Sequence, residues 1–70
     1  MDYREKLRNE LVEVRDRYYQ AKNEYYAVKN GVKPDYIKED IKLLWDFKNA
    51  LGYYLRCMET RCKLYDVDIK

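Results

Sequence analysis

Apolar and polar positions repeat every seven residues in the first half of the chain. Residues 11–17 read LVEVRDR, residues 18–24 read YYQAKNE and residues 25–31 read YYAVKNG. When each block is lettered a to g, positions a and b are apolar or aromatic, position d is small or apolar, and position e is basic. A seven-residue repeat with apolar a and d positions is typical of a helix that lies along another helix.

The repeat predicts a first helix over about residues 3–30. Its a and d positions form an apolar seam with alternating spacings of four and three residues: Leu7, Leu11, Val14, Tyr18, Ala21, Tyr25 and Val28. Asp2 suits the start of this helix, because its carboxylate can accept from free backbone N–H groups of the first turn. Gly31 suits the end, because glycine readily adopts the left-handed conformation that follows a helix.

A second helix is predicted over about residues 34–65, after a turn at residues 31–34. Pro34 fits the first turn of a helix, and we expect Val32 to pack back across the turn. The second seam keeps the alternating spacing and contains one lysine: Ile37, Ile41, Leu44, Lys48, Leu51, Leu55, Met58, Cys62 and Tyr65. Residues 66–70 are expected to form a frayed tail. Because the connection is short, the helices should be antiparallel neighbours in a single domain, residues 1–70.

Each helix also carries a second apolar row beside its seam. In the second helix the row is Tyr36, Leu43, Ala50, Cys57 and Leu64, with Phe47 and Tyr54 between row and seam; in the first helix it is Val12, Tyr19 and Tyr26. A helix with one neighbour needs only a narrow stripe, so an isolated hairpin would expose both extra rows. We therefore expect an all-α antiparallel helical hairpin that pairs into a homodimeric four-helix bundle. The architecture resembles hairpin dimers of the Rop type, without a shared motif, and docking on a larger protein would cover the same faces.

The composition agrees with long helices. The 70 residues include 47% hydrophobic and 40% charged residues, two Gly, one Pro and no Ser, which argues against a many-turned β-fold and against a disordered linker. The net charge is +2, with both signs in each half, whereas a dedicated non-specific DNA binder is usually far more basic. The N-terminus is charged from its second residue, and no uncharged apolar run approaches the roughly 20 residues that span a bilayer. We expect no membrane association and a cytoplasmic location.

Catalytic and metal-binding groups are sparse. Without His or Ser, neither a Ser-His nor a Cys-His pair can form, and Asp35, Glu39 and Asp40 have an ordinary role in offsetting the dipole at the start of the second helix. Cys57 and Cys62 lie about 140° apart around a helix, so they cannot bridge each other. We interpret them as reduced thiols, with an intermolecular disulfide or a reactive thiol as the alternative. The sequence predicts no enzyme, no cofactor and no metal site.

A basic row on the first helix is the main candidate for binding. Arg8, Arg15, Lys22 and Lys29 recur at position e, between the a and b rows of tyrosines. Such a stripe can bind phosphate and stack a base on Tyr19 or Tyr26, or its aliphatic stems can simply cover ring faces. The candidate partner-binding residues are Arg15, Tyr19, Lys22, Tyr26, Lys29, Trp45 and Tyr53.

Lys48 is the polar residue in the second seam. An unpaired buried ammonium is costly, so we expect it to pair with a carboxylate, to reach solvent, or to lie where the bundle opens to water. Its role is either to specify the register of the bundle or to form an anion site in an oligomeric groove.

These features favour a small non-enzymatic interaction protein. The expected role is a regulator or inhibitor that docks on a larger protein through aromatic and basic helix faces; a phage or mobile-element accessory factor is an example that rests on size alone. The expected partners are a second copy of the chain and a larger protein. The alternative is RNA or nucleotide binding through the Tyr/Lys/Arg stripe on the first helix. A third and much weaker hypothesis is an enzyme that uses carboxylates and a metal ion.

Overall fold

Two antiparallel helices form the hairpin. The computed structural model describes residues 2–69, and its helices are α1, Tyr3–Lys29, and α2, Ile41–Leu64. They pack along their whole length in a body of 43 × 18 × 17 Å, and residues 2–69 contain no β-strand. The all-α hairpin predicted from the seven-residue repeat is confirmed.

Helix α1 begins and ends as its terminal residues predict. The Asp2 side chain accepts from the backbone N–H of Arg4, which satisfies one of the free donors of the first turn. At the other end Gly31 has a φ of 84°, and its N–H donates to the carbonyl of Val28. The N–H of Val32 donates to the carbonyl of Ala27 at 2.8 Å, which completes a Schellman motif.

The connection between the helices is longer than the predicted turn, because α2 begins at Ile41 and not at residue 34. Pro34 instead opens a turn in which the Ile37 N–H donates to its carbonyl. Asp40 is the N-cap of α2, since its carboxylate accepts from the Leu43 N–H at 2.8 Å. The prediction that Val32 packs back is wrong: Val32 is 67% exposed, and Ile37, 5% exposed, fills the hairpin end in its place.

The apolar seam of α1 forms one side of the core. Its buried members are Leu7, Leu11, Val14, Ala21 and Tyr25, while Tyr18 and Val28 are half-buried. Near the chain termini the core cluster is Leu7, Leu11, Met58 and Cys62, and near the connection it is Tyr25, Ile37 and Leu44. In the predicted α2 seam, the buried residues are Ile37, Leu44, Met58 and Cys62. Ile41 and Tyr65, at the two ends of the helix, are exposed. Neither helix of the described chain is long and apolar enough to cross a membrane.

The segment after α2 is ordered rather than frayed over residues 66–69; Lys70 lies outside the described residues. Asp66 adopts a φ of 55°, and the N–H of Val67 donates to the carbonyl of Cys62 at 2.8 Å, in a second Schellman motif. Val67 and Ile69 then pack against the core cluster at this end. Apolar residues directly after the helix end therefore draw the segment back onto the hairpin.

Candidate interaction surfaces

An aromatic–cation cluster lies on one face of the hairpin, near the connection. It consists of Tyr25, Tyr26, Lys29, Trp45 and Lys48. The Tyr25 ring lies 5.2 Å from the Tyr26 ring and 5.1 Å from the Trp45 ring, measured between centroids. Tyr25 is buried, whereas Tyr26 and Trp45 are each more than two-fifths exposed. The fold thus brings three of the predicted partner-binding residues together around a buried tyrosine.

Lys48 is held at this cluster by rings and not by a carboxylate. Its Nζ lies 4.4 Å from the Trp45 centroid and 5.7 Å from the Tyr25 centroid, and it donates to Asn49 Oδ1 at 3.0 Å. The side chain is half-buried. Because the ring faces attract the ammonium while its stem covers apolar surface, the lysine is accommodated in the seam without a buried ion pair.

The members of the basic row on α1 differ in their surroundings. The Arg15 guanidinium donates to the carbonyl of Ile69 at 3.2 Å, so it holds the segment after α2. Lys22 is half-buried, and the Lys29 Nζ lies 5.8 Å from the centroid of the Tyr26 ring. Arg15 therefore contacts the segment after α2, and Lys29 contacts a ring one turn earlier in its own helix.

Tyr19 and Tyr53 lie apart from the cluster. Tyr19 lines an open groove of about 560 Å³ together with Pro34 and Tyr36 of the connection. Tyr53 is 68% exposed and borders a groove of about 480 Å³ beside Tyr18. The predicted aromatic partner-binding residues consequently divide among the cluster and two separate grooves, while Arg15 and Lys22 lie outside all three.

Gly52 is a structural residue that the seven-residue repeat did not single out. A Cβ atom at this position would lie 3.1 Å from the Tyr18 ring, which is tighter than ordinary van der Waals contact. Tyr18 thus packs on the bare backbone of α2. A glycine in the interior of a predicted helix was the available signal for this close approach.

The opposite face of the hairpin carries the second apolar row of α2. We call Leu43, Phe47, Ala50, Tyr54, Cys57 and Leu64 the outer row. All six residues are exposed. Since Trp45 and Phe47 are two residues apart, their side chains leave the helix about 160° apart, which places the outer row away from the aromatic–cation cluster.

Polar contacts from α1 border the outer row. The Tyr54 hydroxyl donates to the Glu10 carboxylate, and this hydrogen bond raises the pKa of Tyr54. The Arg61 guanidinium donates to the Tyr3 hydroxyl at 2.7 Å. A groove of about 190 Å³ beside Phe47 is lined by Glu24, Glu39, Leu43 and Leu44 as well. The row therefore has a polar border and an acidic groove at its N-terminal end.

The two cysteines differ in exposure. Cys57 is exposed in the outer row, Cys62 is fully buried, and both are free thiols. Burial raises the pKa of the Cys62 thiol. Within residues 2–69, no group of three or more His, Cys, Asp or Glu side chains is placed to hold a metal ion. Comparison with protein-family models, with curated proteins and with solved structures found no match for this chain.

Proposed function

We propose that this chain is a non-enzymatic interaction protein, a small regulator or inhibitor that acts by binding to another protein. It pairs with a second copy into a four-helix bundle and docks on a larger protein through its aromatic and basic helix faces. The docking face is centred on the aromatic–cation cluster.

The observation that carries the proposal is the exposure of large apolar side chains. Among residues 2–69, fourteen large hydrophobic side chains are exposed, whereas nine hydrophobic residues form the buried core. Exposed apolar surface that is contiguous and bordered by polar groups typically marks an interface. A helical hairpin with more large hydrophobic residues outside than inside is well suited to bind other helices.

The composition of the cluster also supports docking on a protein. Tyrosine and tryptophan provide large rings with a polar atom, and they are enriched at protein interfaces for that reason. Tyr26 and Trp45 are held in place by Tyr25, so little conformational freedom is lost when a partner covers them. Lys29 and Lys48 add positive charge at the border, which favours a partner with acidic groups around an apolar centre.

RNA or nucleotide binding is the alternative, and one feature favours it. Tyr26 with Lys29 and Trp45 with Lys48 are two ring–cation pairs on the same face, and bases stack on such rings while the cations contact phosphate. Docking on a protein is favoured over RNA binding because Arg15, a central cation of the predicted stripe, donates to the carbonyl of Ile69.

Co-purification of the tagged chain from the cells that produce it tests the proposal. We expect a stoichiometric protein partner that is retained after nuclease treatment and at moderate salt. The double substitution Tyr26→Ser/Lys29→Glu should release it, because both exposed groups of the α1 side of the cluster are lost. The matched control is Tyr36→Ser/Lys38→Glu, which changes the same residue types in the exposed connection.

Two results would contradict docking on a protein. One is the absence of any stoichiometric protein, or equal loss in the control variant. The other is an associated component that nuclease removes and that dissociates steeply with added salt, since that behaviour is expected of phosphate contacts and would support the RNA alternative.

A further inference from the structure

The outer row of α2 has the spacing of a second helix-packing seam. Its first five residues, Leu43 to Cys57, are separated alternately by four and three positions; Leu64 follows after seven, and Arg61 fills that gap in the same spacing, as Asp40 does before Leu43. Asp40 comes three residues before Leu43, and Arg61 comes three residues before Leu64. Asp40 and Arg61 are 21 positions apart, or about 32 Å along a helix. The series therefore begins with an acid and has a base one turn before its last residue, Leu64.

We propose that the outer row is a self-complementary interface, in which α2 of one copy packs antiparallel against α2 of a second copy. The two-fold axis lies level with Gly52. The inference rests on the proposed self-association and adds the face, the direction and the register. A two-fold pairing uses the same patch on both copies, so this patch must complement itself when it is reversed.

Side-chain size satisfies that requirement. With the axis level with Gly52, Phe47 of one copy lies opposite Cys57 of the other, and Tyr54 lies opposite Ala50. Each of these central layers then pairs one aromatic ring with one small side chain, which fills the space between two helices evenly. A parallel, in-register pair would place Phe47 against Phe47 and Ala50 against Ala50, and its layers would alternate between crowded and empty.

The charges of Asp40 and Arg61 also favour antiparallel packing. Antiparallel packing brings Arg61 of the second copy within one helical turn of Asp40, at the level of Leu43. At this level the hairpin has the groove lined by Glu24 and Glu39, so the guanidinium enters an acidic environment. Parallel packing would instead place Asp40 beside Asp40 and Arg61 beside Arg61, and like charges repel.

Arg61 can make this contact without losing its existing one. The guanidinium has five N–H donors, of which one donates to the Tyr3 hydroxyl and another contacts the Met58 sulfur. Asp40 keeps a second carboxylate oxygen, because its Oδ1 is the atom that accepts from the Leu43 N–H. Pairing through the outer row also leaves the aromatic–cation cluster open on the other face for a larger partner.

Disulfide trapping tests the direction and the register. Phe47→Cys introduces a thiol that should lie opposite the native Cys57 of the second copy, so mild oxidation should give a covalent dimer. The control Phe47→Cys/Cys57→Ser should give none, because two residues at position 47 lie ten positions apart, or about 15 Å, in the antiparallel pair. Wild-type protein should give none for the same reason. A covalent dimer of the wild type or of the control would show parallel packing and overturn the proposal.

Charge reversal provides a second test that keeps Phe47 in place. Asp40→Arg and Arg61→Asp should each weaken dimerisation about tenfold, because each substitution puts like charges at both ends of the homodimer. An equal mixture of the two variants should restore the wild-type affinity, since every pair is then Arg with Asp. Loss of the Asp40 helix cap does not explain such a recovery, because the Asp40→Arg chain still lacks that cap in the mixture.

The outcomes separate this inference from the proposed function. Wild-type protein can form a dimer while the Phe47→Cys variant dimerises without forming a disulfide, or while the single charge reversals leave the affinity unchanged. Either result would show that the proposed interface is wrong and that the chain still self-associates. If wild-type protein remains an 8.7 kDa monomer throughout the concentration range, self-association itself fails, and the interface fails with it. Docking on a larger protein is decided by the co-purification alone.

Discussion

Val12 and Val14, two residues apart in α1, make a matched pair for testing which face is core. Val14 is 5% exposed and Val12 is 38% exposed, although both lie in the middle of the same helix. Substitution of either by Ala removes two carbon atoms. At Val14 the substitution removes buried surface and leaves a cavity, while alanine gains slightly in helix propensity. Together these effects should lower the free energy of unfolding by about 1.5–2.5 kcal/mol. At Val12 the incomplete burial and the same propensity gain should leave a loss of only about 0.5 kcal/mol.

Urea unfolding followed by far-ultraviolet circular dichroism measures both losses. The variants and the wild type should be compared at one protein concentration, because dimerisation adds to apparent stability. We expect the midpoint of Val14→Ala to fall clearly below that of Val12→Ala. Equal losses, or a larger loss at Val12, would refute the assignment of the 4-3 seam as the core and of Val12 as surface.

Three further predictions concern the helix ends and the titratable groups. Asp66→Gly should stabilise the protein by about 0.5–1 kcal/mol, because Asp66 has a φ of 55° and glycine adopts positive φ without strain. Gly31→Ala, at a φ of 84°, should destabilise the protein by about 1 kcal/mol for the same reason, and thermal unfolding measures both changes. In the folded monomer, at a protein concentration too low for dimerisation, iodoacetamide should modify Cys57 readily and Cys62 only through unfolding, and mass spectrometry of the digested product checks this. The raised pKa of Tyr54 contributes stability that is present below pH 10.0 and lost as pH rises through the raised value, so Tyr54→Phe should reduce the alkaline loss of stability seen in urea titrations.

The helical pairing was predictable because it depends on a regular repeat. Seam residues such as Leu11 and Met58 recur at 4-3 spacing, and that spacing alone selects which side of each helix is buried. Asp2 and Gly31 were predictable for a similar reason, since a helix end requires a side-chain acceptor at its start and a positive φ after its last residue.

The connection and the contacts between separate side chains were not predictable in this way. Pro34 fits the first turn of a helix and also fits the isolated turn that it forms, and burial of Ile37 decides between them. The order of residues 66–69 depends on Val67 and Ile69 meeting the core, and the position of Lys48 depends in part on the Tyr25 ring of the other helix. Such contacts are set by three-dimensional packing rather than by the local pattern.

Sedimentation equilibrium of the wild type beside Phe47→Asp tests the central claim most directly, because Phe47 is an exposed member of the outer row. We expect the wild type to reach twice its 8.7 kDa chain mass at micromolar concentration. The Phe47→Asp variant should sediment as a monomer with an unchanged helical spectrum, since a buried, unpaired carboxylate would oppose association without disturbing the hairpin core. A wild type that stays monomeric, or a Phe47→Asp variant that dimerises as tightly as the wild type, would contradict the account.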